Sequence, residues 1–179
     1  MFDRVKASFR RRAVSAALGL AVRRTRGELI DMRECWRDIR RYMLCWTGCG
    51  ADRDAVELVL DRLRRRFPTA DAVVVATRVI DPPRLEGVAV ELLTERDFNL
   101  FGLPGREARR RVRELHADVA VDLSPRFDPL SAYLCLISGA PVKVGFASAG
   151  GDSVFNLQIV PEPERTGLER YRVLARYIG

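Results

Sequence analysis

Very little in this sequence carries chemistry outright, and each shortage excludes something. Histidine occurs once, at His116. It stands at a predicted helix end before a strand, where histidine serves the helix terminus, and no nucleophile is evident for it. Lysine is almost as scarce. Lys6 and Lys143 are the two lysines among 31 basic residues. Arginine grips phosphates and carboxylates in bidentate geometry better than lysine does, although a GC-rich genome produces the same skew. The four cysteines, Cys35, Cys45, Cys49 and Cys135, form no CxxC pair. Cys45 and Cys49 make a CxxxC with no second pair or nearby histidine, so no zinc site is implied. Cys45 and Cys135 lie in apolar runs, where cysteine is a small buried hydrophobe. Reduced, structural thiols in a cytoplasmic protein are expected.

No stretch approaches the ~18 apolar residues of a membrane span. Ala13 to Val22 is apolar for ten residues behind a positive region, but ten helical residues span only ~15 Å. The RRTR that follows, without a small-residue cleavage pattern, argues against export. The chain has no internal repeat and no low-complexity tract.

What is present is the composition of a globular α/β protein: 179 residues, 47% hydrophobic and 31% charged. The formal charge of +7 is unevenly placed. Residues 1–26 carry eight basic groups against Asp3 alone, whereas residues 27–179 carry twenty-three of each sign. The excess belongs to an N-terminal arm, and the body is neutral.

Spacing assigns the elements. Residues 2–24 form a helix on which Phe2, Val5, Phe9, Ala13, Ala16 and Leu20 share one face. From Ala13 to Val22 it is apolar all round, with Leu18 on the otherwise polar side. Such a segment needs burial on more than one side, and a protein partner is the expected cover. Glu28 to Arg41 reads as a short helix or turn. Strands are expected at 42–46, 72–76, 88–93, 117–123, 142–146 and 155–160, and helices at 54–66, 107–115, 130–138 and 166–178. The region Ala117 to Phe146 is a complete βαβ unit. The segment Asp97 to Pro104 (DFNLFGLP) must fold back on the body. The organisation is therefore a basic N-terminal helix (1–26), a connection (27–41) and a Rossmann-like α/β domain (42–179). The fold class is α/β: a doubly wound, mostly parallel sheet of about six strands, with strands one and four side by side.

Ligands in such sheets bind outside the carboxyl ends of the strands, where the order reverses. The candidate crevice there comprises Thr47, Gly48, Gly50 and Asp52 after the first strand, and Asp122 and Ser124 after the fourth. Gly48 and Gly50 begin a dinucleotide fingerprint that Arg53 breaks at the third glycine position, and no Lys-Ser or Lys-Thr pair follows. A tight turn explains the two glycines equally well. Asp122 and Ser124 are also good helix caps, a role worth ~1 kcal/mol. No catalytic residue, metal ligand or cofactor is implied.

Two stretches, LRRRFPTADAVVVA (63–76) and LHADVAVDLSPRFDPLSAYLCLISGAPVKVGF (115–146), resemble the N-terminal half of heptosyltransferase-like glycosyltransferases. The resemblance covers roughly residues 60–146. It implies a Rossmann-like half-enzyme, but with departures. The family's first loop carries a Gly-Asp pair and a following proline; here the run is Gly50-Ala51-Asp52 without the proline. These residues hold no second Rossmann domain to bind a sugar-nucleotide donor. The chain also resembles a short bacterial family of unknown function, which shares the basic helix, the DFNLFGLP segment and the terminal helix.

Two functions follow as expectations. One is a non-catalytic accessory subunit of a larger assembly. Its arm (Phe2, Phe9, Arg10, Arg11, Arg12, Arg23, Arg24 and Arg26) would bind a protein partner and an anionic surface, either membrane or RNA. The other is a degenerate or split glycosyltransferase-like domain binding a sugar or nucleotide at the switch point. The first disfavours a small-molecule ligand and places the protein in the cytoplasm, with peripheral association at the inner membrane face as an option. An open crevice lined by charged groups favours the second; a crevice plugged by DFNLFGLP favours the first.

Overall fold

Tyr42 to Trp46 are all buried, which is what a strand covered on both sides requires. They belong to β1 (Arg41–Trp46), the centre of a six-stranded parallel sheet ordered β3-β2-β1-β4-β5-β6. The other strands are β2 (Asp71–Thr77), β3 (Ala89–Leu93), β4 (Val119–Asp122), β5 (Val142–Phe146) and β6 (Leu157–Ile159). The helices are α1 (Phe2–Arg24), α2 (Met32–Cys35), α3 (Arg53–Arg66), α4 (Arg106–Glu114), α5 (Pro129–Ile137) and α6 (Leu168–Ile178), with short 3₁₀ turns at Glu95–Asp97 and Gly151–Ser153. This computed structural model describes residues 2–24, 31–48, 51–77, 87–162 and 166–179, leaving out the side chains of 2–7, 24, 32 and 33. Strands one and four are neighbours, as the sequence pattern implies.

Alternation along the strands builds one core on each face of the sheet. Tyr42, Leu44 and Trp46 of β1 point to one side, joining Val56, Val59 and Leu63 of α3 and Tyr171 and Leu174 of α6. Met43 and Cys45 point to the other, with Val112 of α4, Leu134 and Cys135 of α5, and Val14 and Leu18 of α1.

That last pair revises the reading of the N-terminal helix. Val14 and Leu18 are each only 4% exposed, because α1 lies on α5. The cover for the apolar segment is this chain's own α5. The face that periodicity singles out points outward instead, with Phe9 57% and Leu20 60% exposed and Ala16 exposed as well.

The amino end of the sheet is closed by polar ties. Asp118 Oδ2 accepts the N–H groups of Arg40 and Arg41 at 2.8 and 2.9 Å. The Arg41 guanidinium donates to the Leu115 carbonyl and to Asp71, each at 2.8 Å. His116, in a left-handed conformation (φ 49°), turns the chain out of α4. The sixth strand is shorter than expected because the side chain of Asn156 replaces the ladder. Its Oδ1 accepts from Lys143 N–H and its Nδ2 donates to the Pro141 carbonyl, both at 2.7 Å, while Phe155 turns into the core.

Gly145 of β5 makes room for that ring: a Cβ there would lie 2.8 Å from Phe155 Cδ2 and Cε2. Gly145→Ala is therefore expected to cost ~1–3 kcal/mol through overpacking, read as a lowered thermal midpoint. Adding Phe155→Leu should recover part of the loss; an unchanged midpoint in Gly145→Ala would show that the ring moves aside freely.

Candidate functional site

From β1 the chain order runs outward in both directions, to β2 on one side and β4 on the other. Two loops leaving the carboxyl ends therefore diverge and open a crevice between them. Thr47 is the first residue past β1. Its hydroxyl donates to Asp128 Oδ2 at 2.8 Å, and its carbonyl accepts the Thr77 hydroxyl at 3.2 Å. The ends of β1, β2 and α5 are thus tied together. Gly48 follows at φ 83°, where only glycine turns without strain. Gly50 lies outside the described residues. Asp52 closes the loop as the N-cap of α3, its Oδ1 accepting from Ala55 N–H at 2.9 Å.

Asp122 and Ser124 do not cap α5. Asp128 is the cap, accepting from Ser131 N–H at 3.1 Å, and Pro129 takes the first helical turn. Asp122, 2% exposed, lies beneath the crevice floor. Its Oδ1 accepts from Ser124 N–H at 2.8 Å and from the Ser131 hydroxyl at 2.6 Å. Burial pushes its carboxyl up to about 7, against the opposing pull of those bonds; the nearby charge of Asp128 adds to the rise. Asp122 therefore fastens β4 to α5 and presents no carboxylate to a ligand. Close by, Cys45 and Cys135 meet with sulfurs 3.4 Å apart. Both are free thiols, and burial lifts Cys135 well above its usual value.

Above this floor lies a cleft of about 1080 Å³. Thr47 and Thr77 form its base. Arg10, Arg11 and Val14 of α1 line it, together with Glu95, Phe98, Asn99 and Leu100 from the segment after β3. The DFNLFGLP segment borders the cleft without filling it. Arg11 also reaches the Phe127 carbonyl at 3.5 Å, which steadies α1 across the opening.

The structure therefore joins two groups of residues that the sequence keeps apart. Arg10 and Arg11, read as surface cations of the arm, share a cleft with Thr47 of the crevice. Phe9 stands at the rim, its ring 6.1 Å from that of Phe101. Arg12 and Arg23 are exposed outside the cleft. Arg26 lies outside the described residues, as do the side chains of Phe2 and Arg24. Sequence reasoning missed Thr77, Glu95 and Asn99. The positions of Thr77 and Glu95, at or just past the carboxyl ends of strands, were available signals, and Asn99 belongs to DFNLFGLP, the segment already set against the crevice. Among the described residues no three histidine, cysteine or acidic side chains come together to hold a metal ion, and no helix is long and apolar enough to cross a membrane.

Sheet order and cleft position together define a Rossmann-like fold. No protein-family model and no curated protein matches the chain. Solved structures do. The ADP-heptose LPS heptosyltransferase II of E. coli superposes with a TM-score of 0.58 at 23% identity, over 75% of this chain and 40% of that one. A glycosyl transferase family 9 protein from Veillonella parvula DSM 2008 gives 0.56 at 14% identity, over 79% and 42%. The chain thus spans about two fifths of the length of these neighbours, and the likeness is one of fold.

Proposed function

We propose that this protein is a non-catalytic, ligand-binding domain of glycosyltransferase-like fold that takes a phosphate-bearing sugar or nucleotide in the cleft above Thr47 and Thr77. The observation that carries this reading is the presence of Arg10 and Arg11 in the cleft wall, beside two strand-end hydroxyls. Guanidinium groups hold phosphate oxygens bidentately, and the two hydroxyls, whose protons go to Asp128 and to the Thr47 carbonyl, offer oxygens that accept from a sugar hydroxyl. The reading stops at binding: Asp52 and Asp128 are committed to helix caps, Asp122 to a buried tie, and Glu95, the acid among the described residues that line the cleft, has no second carboxylate beside it in that lining. A donor sugar-nucleotide site would have to come from another domain or polypeptide.

Calorimetric titration tests it, with a hexose 1-phosphate and a nucleoside diphosphate at low and moderate salt. The wild-type protein is expected to bind at least one of them, more weakly as salt rises. Arg10→Gln/Arg11→Gln should weaken binding about tenfold or more, as expected for losing charge-assisted hydrogen bonds. A wild-type protein that binds neither compound, or a variant that binds equally well, would sink the reading.

A second reading, an accessory subunit anchored through α1 to a larger assembly or an anionic surface, is favoured by a different observation. The outward face of α1 leaves Phe9 and Leu20 largely exposed, with Arg12 and Arg23 also at the surface. The two readings use different faces of the same helix.

A further inference from the structure

We propose that Phe9, Leu100 and Phe101 form a membrane-inserting tip, which docks the protein on an anionic lipid surface with the cleft opening towards the headgroups. The inference rests on the anchoring reading and not on the identity of the cleft's ligand.

An apolar side chain in a surface loop ordinarily turns inward, since that removes it from water. This loop is braced to do the opposite. Asn99 Oδ1 accepts from the N–H groups of Phe101 and Leu103 at 3.0 and 3.1 Å. The Asn99 N–H donates to the Leu103 carbonyl, and the Gly102 N–H to the Asn99 carbonyl, both at 2.9 Å. Phe98 and Pro104 pair across the base of the loop, and Gly102 supplies the left-handed turn at φ 76°. Phe98 packs against the core, while Leu100, at the edge of the cleft it helps to line, is held 88% exposed and Phe101 50% exposed. From α1, Phe9 sets its ring beside that of Phe101. The position of Gly102 against Arg10, with a Cβ placed only 3.2 Å from that of the arginine, locks loop to helix. A tip fixed in this way has little conformational freedom left to lose when it is buried.

Charge selects the occupant. Arg10 and Arg11 stand behind the tip, in the cleft, and Arg12 is exposed three residues along the helix from Phe9. Glu95 is the acid among the described residues that line this opening. Apolar points backed by arginines match a surface whose hydrocarbon lies just beneath its phosphates. RNA would satisfy the arginines but gives an aliphatic tip nothing to enter.

Vesicle co-flotation tests this on the full chain, comparing phosphatidylcholine alone with a mixture of phosphatidylcholine and about one third phosphatidylglycerol. The wild-type protein is expected to partition onto the mixed vesicles about tenfold more than onto the neutral ones. Leu100→Ser/Phe101→Ser should lose about tenfold of that partitioning at every salt concentration while keeping its thermal midpoint. Arg10→Gln/Arg11→Gln/Arg12→Gln should weaken it most at low salt. Leu100→Trp gives an independent reading, because tip insertion should shift the added tryptophan's emission to the blue when mixed vesicles are present. A wild-type protein that ignores mixed vesicles would overturn the inference. So would a serine variant that floats like wild type, an unshifted emission from Leu100→Trp, or capture by single-stranded RNA alone. No sugar phosphate enters the experiment, so its failure leaves the cleft reading standing, and a failed calorimetric titration leaves this inference standing. An outer face of α1 that recruits a protein instead would appear as anchoring without flotation.

Discussion

Replacing Val14 and Leu18 together by Asp is expected to detach α1 from the body and lower the stability of the whole domain by several kcal/mol. Both side chains are buried in the core shared by α1, α4, α5 and one face of the sheet. Truncating either to alanine would leave a cavity, at ~2–5 kcal/mol for leucine and less for valine. A carboxylate at position 18 has no partner in an apolar seam, so it must be exposed or stay protonated, and one at position 14, although within reach of Arg10 and Arg11 a turn back, still strips the apolar contact from α5. The helix is then expected to leave α5, taking Arg10 and Arg11 out of the cleft. Urea unfolding should give an earlier midpoint, and binding of whichever phosphate compound the wild-type protein takes should disappear with it. A chain begun after residue 26 would lose the same layer and bare α5. If the double variant unfolds at the wild-type midpoint, α1 is an appendage and the cleft wall is not built as described. Leu20→Asp is the matched control: Leu20 is already 60% exposed, so its replacement should leave the midpoint nearly unchanged.

Stability should also fall as pH rises from about 4 to about 7, and Asp122→Asn should remove that slope. The sign follows from where the proton is held more tightly. In the fold the Asp122 carboxyl is raised to about 7 from an ordinary value of 3.8, chiefly by burial. The folded state therefore keeps its proton at pH values where the unfolded chain has released it. The contribution is fully present below the unfolded value, is lost between the two values, and is constant above the folded one. The limiting slope is about 1.4 kcal/mol per pH unit, so the whole effect amounts to a few kcal/mol. Asparagine retains an oxygen that accepts from Ser124 N–H and the Ser131 hydroxyl, and it does not ionise. At pH 8 Asp122→Asn should thus be at least as stable as wild type, the reverse of the ~1 kcal/mol cost assigned to a lost helix cap. Denaturant midpoints from pH 4 to pH 8 read this directly. A variant that keeps the wild-type slope would place the titrating group elsewhere.

The contrast between these two sites marks how far local pattern reaches. The runs AVVVA at 72–76 and VKVGF at 142–146 read as buried strands, because they are too short for a helix and rich in β-branched or aromatic residues. Their alternation with amphipathic helices implied a parallel sheet, and the order with β1 beside β4 followed from the usual winding of such sheets. For α1 the same periodicity was insufficient. Ala13 to Val22 is apolar on every side, so spacing alone does not say which side is covered. The surface of α5 decides, taking Val14 and Leu18 and leaving Phe9 and Leu20 in solvent.

By itself, then, the sequence determined the order and type of the main elements, the α/β class and the gathering of surplus charge in the first 26 residues. Each of these depends on neighbours a few positions apart, or on simple composition. Only the tertiary structure decided that Arg10 and Arg11 share a cleft with Thr47 and Thr77, that Asp128 rather than Asp122 caps α5, and that Leu100 is left exposed. Those facts depend on residues far apart in the chain. Thr47 and Asp128, for example, are 81 positions apart and meet at 2.8 Å. Their meeting is fixed by how helices lie across a sheet, which no short window of residues contains.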